Sequence, residues 1–85
     1  MKAAVTLYTR VHCHLCDVVK DLLDQVSVER PLELTVIDVD SEPELVRLYG
    51  EEVPVVLIGG RKAFKLRVDP AALRAALDRA GGVSV

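Results

Sequence analysis

The chain opens on a strand–helix–strand unit, and this limits its folding choices more tightly than any other feature. Ala3 to Tyr8 is a short, largely apolar run of strand length. From Leu15 the apolar residues fall at Leu15, Val18, Val19, Leu22, Leu23 and Val26. That is the i, i+3, i+4, i+7 spacing of an amphipathic helix, with Asp17, Lys20, Asp21 and Asp24 on its wet face. Pro31 closes the connection, and Leu32 to Val39 follows as a second strand rich in β-branched residues. Strands joined through a helix are expected to pair in parallel by right-handed crossovers.

The remaining elements extend this unit. Ser41 and Glu44 have the spacing of a capping box, and Pro43 lies in the first turn, where its missing N–H costs nothing. Leu45, Val46, Leu48 and Tyr49 belong to that second helix, with Gly50 as the expected left-handed residue at its end. Val55 to Ile58 is a third strand. Gly59-Gly60 supplies the positive φ angles of a two-residue turn, so Arg61 to Leu66 returns antiparallel. Asp69 caps a last helix with Pro70 at its first position; Leu73, Ala76, Leu77 and Ala80 form its buried stripe, and Gly81-Gly82 ends it. The fold class is α/β in the order βαβαββα, with a four-stranded mixed sheet flanked by three helices. Residues 1–85 are read as one domain, with parallel pairing across both helices and an antiparallel edge from the hairpin.

Composition narrows the function. At 85 residues the chain is a small domain, and one of this size buries about 60% of its unfolded surface. Apolar residues make up 51% and charged residues 28%, which suits a compact core rather than disorder. The 11 basic and 13 acidic residues are interspersed without a long basic run, so nucleic acid is not an expected partner. No stretch reaches the roughly 18 apolar residues of a membrane span. "MKAAVTLYTR" is too short and too polar for a signal peptide. The expected compartment is the cytoplasm, where a lone C-x-x-C is more often catalytic or metal-binding than a permanent staple.

Both cysteines and both histidines lie between Val11 and Cys16, at the junction of the first strand and first helix. In open α/β sheets ligand sites gather there. Unpaired N–H groups and the positive end of the helix dipole favour a thiolate. Cys13 is therefore expected to have a pKa below the free value of about 8.5. Cys16 lies one turn inside on the same face, shielded but near enough to attack a mixed disulfide at Cys13. The plain alternative is a pair of ordinary helical cysteines. Either His14 or His12, once protonated, would stabilise the thiolate; otherwise His14 is an exposed first-turn residue and His12 a loop residue. A structural zinc site from His12, Cys13, His14 and Cys16 would be strained, because adjacent side chains point apart. A cluster shared between two chains stays open.

"LYTRVHCHLC", "EEVPVVLIGG" and the element order resemble the glutaredoxin-like proteins of the thioredoxin superfamily, particularly a small bacterial glutaredoxin-like group. The resemblance spans essentially the whole chain and implies a thioredoxin-like fold. It implies that Cys13 attacks and Cys16 resolves. Pro54 matches the family's cis-proline beside the cysteines, and Val53 matches the residue whose backbone pairs with a peptide or glutathione. Arg10 matches a basic position near the thiolate and the glutathione carboxylate. The sequence also departs from the family: His14 and Leu15 fill the middle of the motif, Glu52 replaces a threonine before Val53-Pro54, and "KLRVD" replaces a glycine pair, leaving Asp69. Glu51 and Glu52 add negative charge near an anionic ligand, which Arg67 would partly offset.

The leading expectation is a thiol–disulfide oxidoreductase passing electrons through Cys13 and Cys16. Its substrates would be protein or small-molecule disulfides, and its electron donor glutathione or a disulfide reductase. No tightly bound cofactor, metal or membrane is expected, and the chain would act as a monomer. Two other readings stand beside it: an iron–sulfur or metal carrier using Cys13 in a homodimer, and a redox-switched partner protein without turnover.

Overall fold

A computed structural model describes residues 2–81. The elements are β1 (Ala3–Thr9), α1 (His14–Glu29), β2 (Leu32–Asp38), a 3-10 turn (Val39–Ser41), α2 (Pro43–Tyr49), β3 (Val55–Ile58), β4 (Arg61–Lys65) and α3 (Pro70–Gly81). They form a four-stranded mixed sheet in the order β2-β1-β3-β4. β1 and β2 pair in parallel from Ala3↔Leu32 to Thr9↔Asp38, across the α1 crossover.

The second crossover differs from the expectation. β3 runs antiparallel to β1, with Val5 opposite Ile58 and Tyr8 opposite Val55. The reason is reach. A helix of α2's seven residues spans about 10 Å, while a seven-residue strand like β2 spans about 23 Å. α2 therefore crosses the end of the sheet instead of running back along it, and β3 starts at the end where β2 stopped.

Alternation along β1 points Ala3, Val5 and Leu7 into the core. They meet Val56 and Ile58 of β3, Val19, Leu23 and Val26 of α1, and Leu73 and Leu77 of α3. The two helices are joined at the surface as well. Arg74 donates from Nε and Nη2 to the Glu29 carboxylate, both at 2.8 Å, and Arg30 reaches Asp78 at 3.3 Å. Asp69 caps α3 as expected, its Oδ2 accepting the Ala72 N–H at 2.9 Å. The hairpin glycines take the expected positive φ, 60° and 82°. In β4 the register with β3 shifts between Val56 and Leu57, a β-bulge that leaves Ala63 as the extra residue.

Several local expectations are corrected. The α2 N-cap is Glu42, without a side-chain capping bond, because the 3-10 turn absorbs Ser41 and Glu44 pairs with Arg47 instead. Gly50 is right-handed, at φ −54° and ψ −34°; its requirement is space, since a Cβ there would lie 2.5 Å from the Val46 carbonyl oxygen. β4 stops at Lys65, and Leu66 turns away at φ 67°. Ala80 is exposed, since it lies beyond the part of α3 that meets the sheet. The expected end of α3 at Gly81-Gly82 is not corrected: α3 runs to Gly81, and Gly82 lies outside the described residues. In α1 only Cys16, Val19, Leu23 and Val26 are buried. Leu15 and Val18 are exposed, because the core takes a narrower arc of the helix than the apolar stripe provides.

The burial pattern separates two substitutions on one helix. Leu23→Ala, at a fully buried position, should lower unfolding free energy by about 2–5 kcal/mol. Val28→Ala, at a residue 87% exposed, should stay within about 0.5 kcal/mol of the parent. Urea unfolding followed by circular dichroism measures both, and equal losses would contradict this core.

Candidate functional site

The antiparallel pairing of β1 and β3 brings the exit of one strand beside the entrance of the other. Tyr8 lies opposite Val55, and continuing that register sets Pro54 opposite Thr9 and Val53 opposite Arg10. This is the end of the sheet at which α1 begins. The Val53-Pro54 peptide bond is cis, as the resemblance implies. Val53 lies outside β3, and its N–H and C=O enter no backbone hydrogen bond among the described residues.

Cys13 is the N-cap of α1, extended at φ −100° and ψ 103°. Its Sγ accepts the Cys16 backbone N–H at 3.2 Å, and its C=O accepts the Asp17 N–H at 3.2 Å. Side-chain oxygens of Ser, Thr, Asp and Asn usually hold this position. A sulfur there receives a helix-end N–H and the dipole's positive pole, and both favour it as an anion. The chain reaches this geometry through His12, which is left-handed at φ 63°. Histidine is among the few non-glycine residues enriched in that region. The chain is in its oxidised state, with Cys13 and Cys16 joined by a disulfide and their Cα atoms 5.2 Å apart. The two sulfurs differ in access: Cys16 is 1% exposed and Cys13 half-buried. His14, the first residue of α1, is exposed.

Of the two cations expected near the site, Arg10 is held by an acidic side chain. Arg10 donates from Nε and Nη2 to the Asp40 carboxylate at 3.0 and 2.9 Å, and from Nη1 to the Gly50 carbonyl at 3.0 Å. It thereby ties the exit of β1 to both ends of the α2 region. Glu52 forms ion pairs with Lys62 and, at 3.4 Å, with Lys65. Its charge, read from the sequence as an excess near a ligand, is thus neutralised locally. Hydrogen bonds from Arg10 and Lys62 hold the carboxyls of Asp40 and Glu52 below the usual carboxylate range. Tyr49 stacks on Tyr8 with ring centroids 4.5 Å apart, and Lys62 Nζ lies 5.8 Å from the Tyr49 centroid.

Arg67 stands elsewhere, on the wall of a groove beside α1 with Leu15, Val18, Leu66 and Val68. The turn that carries it is fastened to the cis-proline segment: the Leu66 N–H donates to the Pro54 carbonyl at 2.8 Å and to the Glu52 carbonyl at 3.2 Å. Asp40, the Glu52–Lys62–Lys65 cluster and Leu66 were not legible from spacing, because their partners are distant in sequence. Among the described residues no three His, Cys, Asp or Glu side chains converge as a metal site, and no helix is long and apolar enough to cross a membrane.

A family model described as a glutaredoxin-like domain (DUF836) matches residues 4–78. An uncharacterised protein of Mycobacterium tuberculosis is 36% identical over 80 residues, covering 88% of this chain and 82% of its own. A structural-genomics target protein from X. campestris superimposes with a TM-score of 0.72 at 35% identity, over 89% of this chain and 97% of that one. A thioredoxin from Halobacterium salinarum, at 18% identity and a TM-score of 0.71 over 93% of this chain and 74% of its own, shares the fold.

Two measurements follow from this geometry. Folded pKa values below the unfolded ones mean that Asp40 and Glu52 contribute stability fully present above the unfolded carboxylate range, about pH 4. That contribution is lost as pH falls through the depressed values. Urea midpoints of the parent should therefore drop on acidification below about pH 4, and Asp40→Asn should show a shallower drop; identical pH slopes would count against the Arg10–Asp40 pair. After reduction, brief native alkylation should label Cys13 and spare Cys16, with both labelled in denaturant. Preferential labelling of Cys16, read by mass mapping, would reverse the assignment of the two sulfurs.

Proposed function

The chain belongs to the glutaredoxin-like domain family (DUF836), and from that premise we propose that it is a thiol–disulfide oxidoreductase in which Cys13 is the nucleophile and Cys16 the resolving thiol. The observation that carries this reading is the asymmetry of the pair. One sulfur occupies a helix N-cap and accepts a backbone N–H, while the other is buried one turn further in.

In the reduced protein the Cys13 thiolate attacks one sulfur of a substrate disulfide. A Cys13–substrate disulfide forms, the substrate S–S bond breaks, and the first thiol leaves with a proton from solvent. Cys16 then loses its proton and attacks Cys13 Sγ, releasing the second thiol and closing the Cys13–Cys16 disulfide. Two electrons pass to the substrate, and a thiol such as glutathione or a disulfide reductase restores the dithiol. The open N–H and C=O of Val53 offer an extended substrate a main-chain partner beside Pro54. Arg67 supplies a cation for the substrate, and a protonated His14 would favour the thiolate. Arg10 acts by holding the Gly50–Pro54 segment in place. In this reading the protein works in the cytoplasm as a monomer, in cell redox homeostasis and electron transport.

Trapping tests the division of labour. Cys16→Ser removes the resolver and keeps the helix-end thiolate, so mixed disulfides should accumulate at Cys13. Cys13→Ser leaves only a buried thiol and should trap almost nothing. Non-reducing electrophoresis of both variants from cell extract, with and without reductant, reads the result. Equal trapping by both, or by neither, counts against the proposal, and loss of bound iron or zinc from both would favour a metal carrier instead.

A further inference from the structure

The apolar residues that α1 leaves out of the core lie beside the cysteines. Leu15 and Val18 are 38% and 51% exposed, and with the half-buried Leu22 they form one stripe along the helix. Leu66, Arg67 and Val68 make the opposite wall of a groove of about 240 Å³. Further along α1 it continues as a depression of about 470 Å³ between Val18, Leu22 and Val68, with Asp21 and Gln25 on its rim. No described side chain fills this trough, although its walls are mainly aliphatic.

We propose that this groove is a docking site for the polypeptide segment that carries the substrate disulfide, and that it selects segments with an apolar residue and a basic residue near the cysteine over glutathione. The proposal rests on the oxidoreductase reading and names its substrate class. Its first support is continuity. Leu15 lies between the two cysteines, so a chain covalently held at Cys13 and paired with Val53 passes directly over the mouth of the groove. An apolar side chain set into it would cover Val18 and Leu22, and apolar area removed from water favours the complex.

The second support is charge. Asp21 lines the second depression, is exposed and forms no ion pair among the described residues. Arg67 is the only cation among the described residues that line the two depressions. On the cis-proline side the cations that would receive carboxylates are occupied, Arg10 by Asp40 and Lys62 and Lys65 by Glu52, and Glu51 is exposed. Glutathione carries two carboxylates against one ammonium, so the site has little to hold its second acid. A lysine or arginine on a substrate segment instead meets Asp21 in the second depression, whose lining does not include Arg67.

The test uses the pre-reduced full chain at low ionic strength, with the rate of Cys13–Cys16 oxidation followed by each of five disulfides. Three are short cyclic synthetic peptides carrying Leu and Lys, Leu and Glu, or Ser and Lys beside the cysteines; the others are oxidised glutathione and bis(2-hydroxyethyl) disulfide. The Leu/Lys peptide should react about tenfold faster than the Leu/Glu peptide and oxidised glutathione, and several-fold faster than the Ser/Lys peptide. Val18→Ser should erase the advantage of Leu over Ser. Asp21→Lys should reverse the advantage of Lys over Glu. Both variants should match the parent on bis(2-hydroxyethyl) disulfide, which is too small to reach the groove. Reaction with every disulfide but no peptide preference, or fastest reaction with oxidised glutathione, overturns the groove assignment alone. No reaction with any disulfide overturns the oxidoreductase reading and the groove together.

Discussion

The hydrogen bond from the Cys16 N–H to Cys13 Sγ fixes more of this molecule than its length suggests. Helix starts need acceptors for their free N–H groups. Here the acceptor is the atom that would also do the chemistry, so ending the helix and poising the sulfur are one arrangement. The bond requires the chain to leave β1 and reverse within a few residues, which His12 permits by its left-handed backbone. It also requires α1 to start at the end of the sheet where β3 enters. That direction follows from the parallel β1–β2 pair, since a crossover helix runs opposite to the strands it joins.

Around this sulfur, charge is arranged to hold backbone. Arg10 reaches from the exit of β1 to Asp40 and to the carbonyl of Gly50. Glu52 gathers Lys62 and Lys65 from β4, and the Leu66 N–H returns to the Glu52 and Pro54 carbonyls. The segment from Gly50 to Pro54 is thereby tied to the end of β1 on one side and to the end of β4 on the other. Each ion pair is exposed, so its share of global stability is modest and depends on pH. Their joint effect is local, setting where Val53 stands relative to Cys13.

Most of the fold was legible because local signals agreed: the period of α1, the β-branched β2, the Gly59-Gly60 turn and the Asp69 cap all fall where sequence places them. The misses share a physical origin. Periodicity says that α1 has an apolar stripe but not how wide an arc of it the sheet covers, so it does not separate Leu15 and Val18 from the buried residues of that stripe. Strand direction depends on whether a helix is long enough to return the chain, and α2 is not. Gly50 looked like a left-handed helix end, yet the constraint is the nearby Val46 carbonyl, which no local rule encodes. At the site, both cysteines and Pro54 could be placed from motif and resemblance. Arg10 was expected beside the thiolate, and its tie to Asp40 spans thirty residues and left no trace in spacing.

The bulge in β4 bears on how copies of this chain meet one another. Edge strands expose unpaired backbone groups that can recruit a second chain. β4 protects its edge with the Val56/Leu57 register shift and with Arg61, Lys62 and Lys65. β2, at the opposite edge, has only Glu33 and Asp38 as charged residues and exposes Thr35 and Val36 between them. The sheet therefore has one edge guarded against strand addition and one comparatively open. At high concentration, or while the chain is still folding, self-association would begin along β2, on the side of β1 opposite β3.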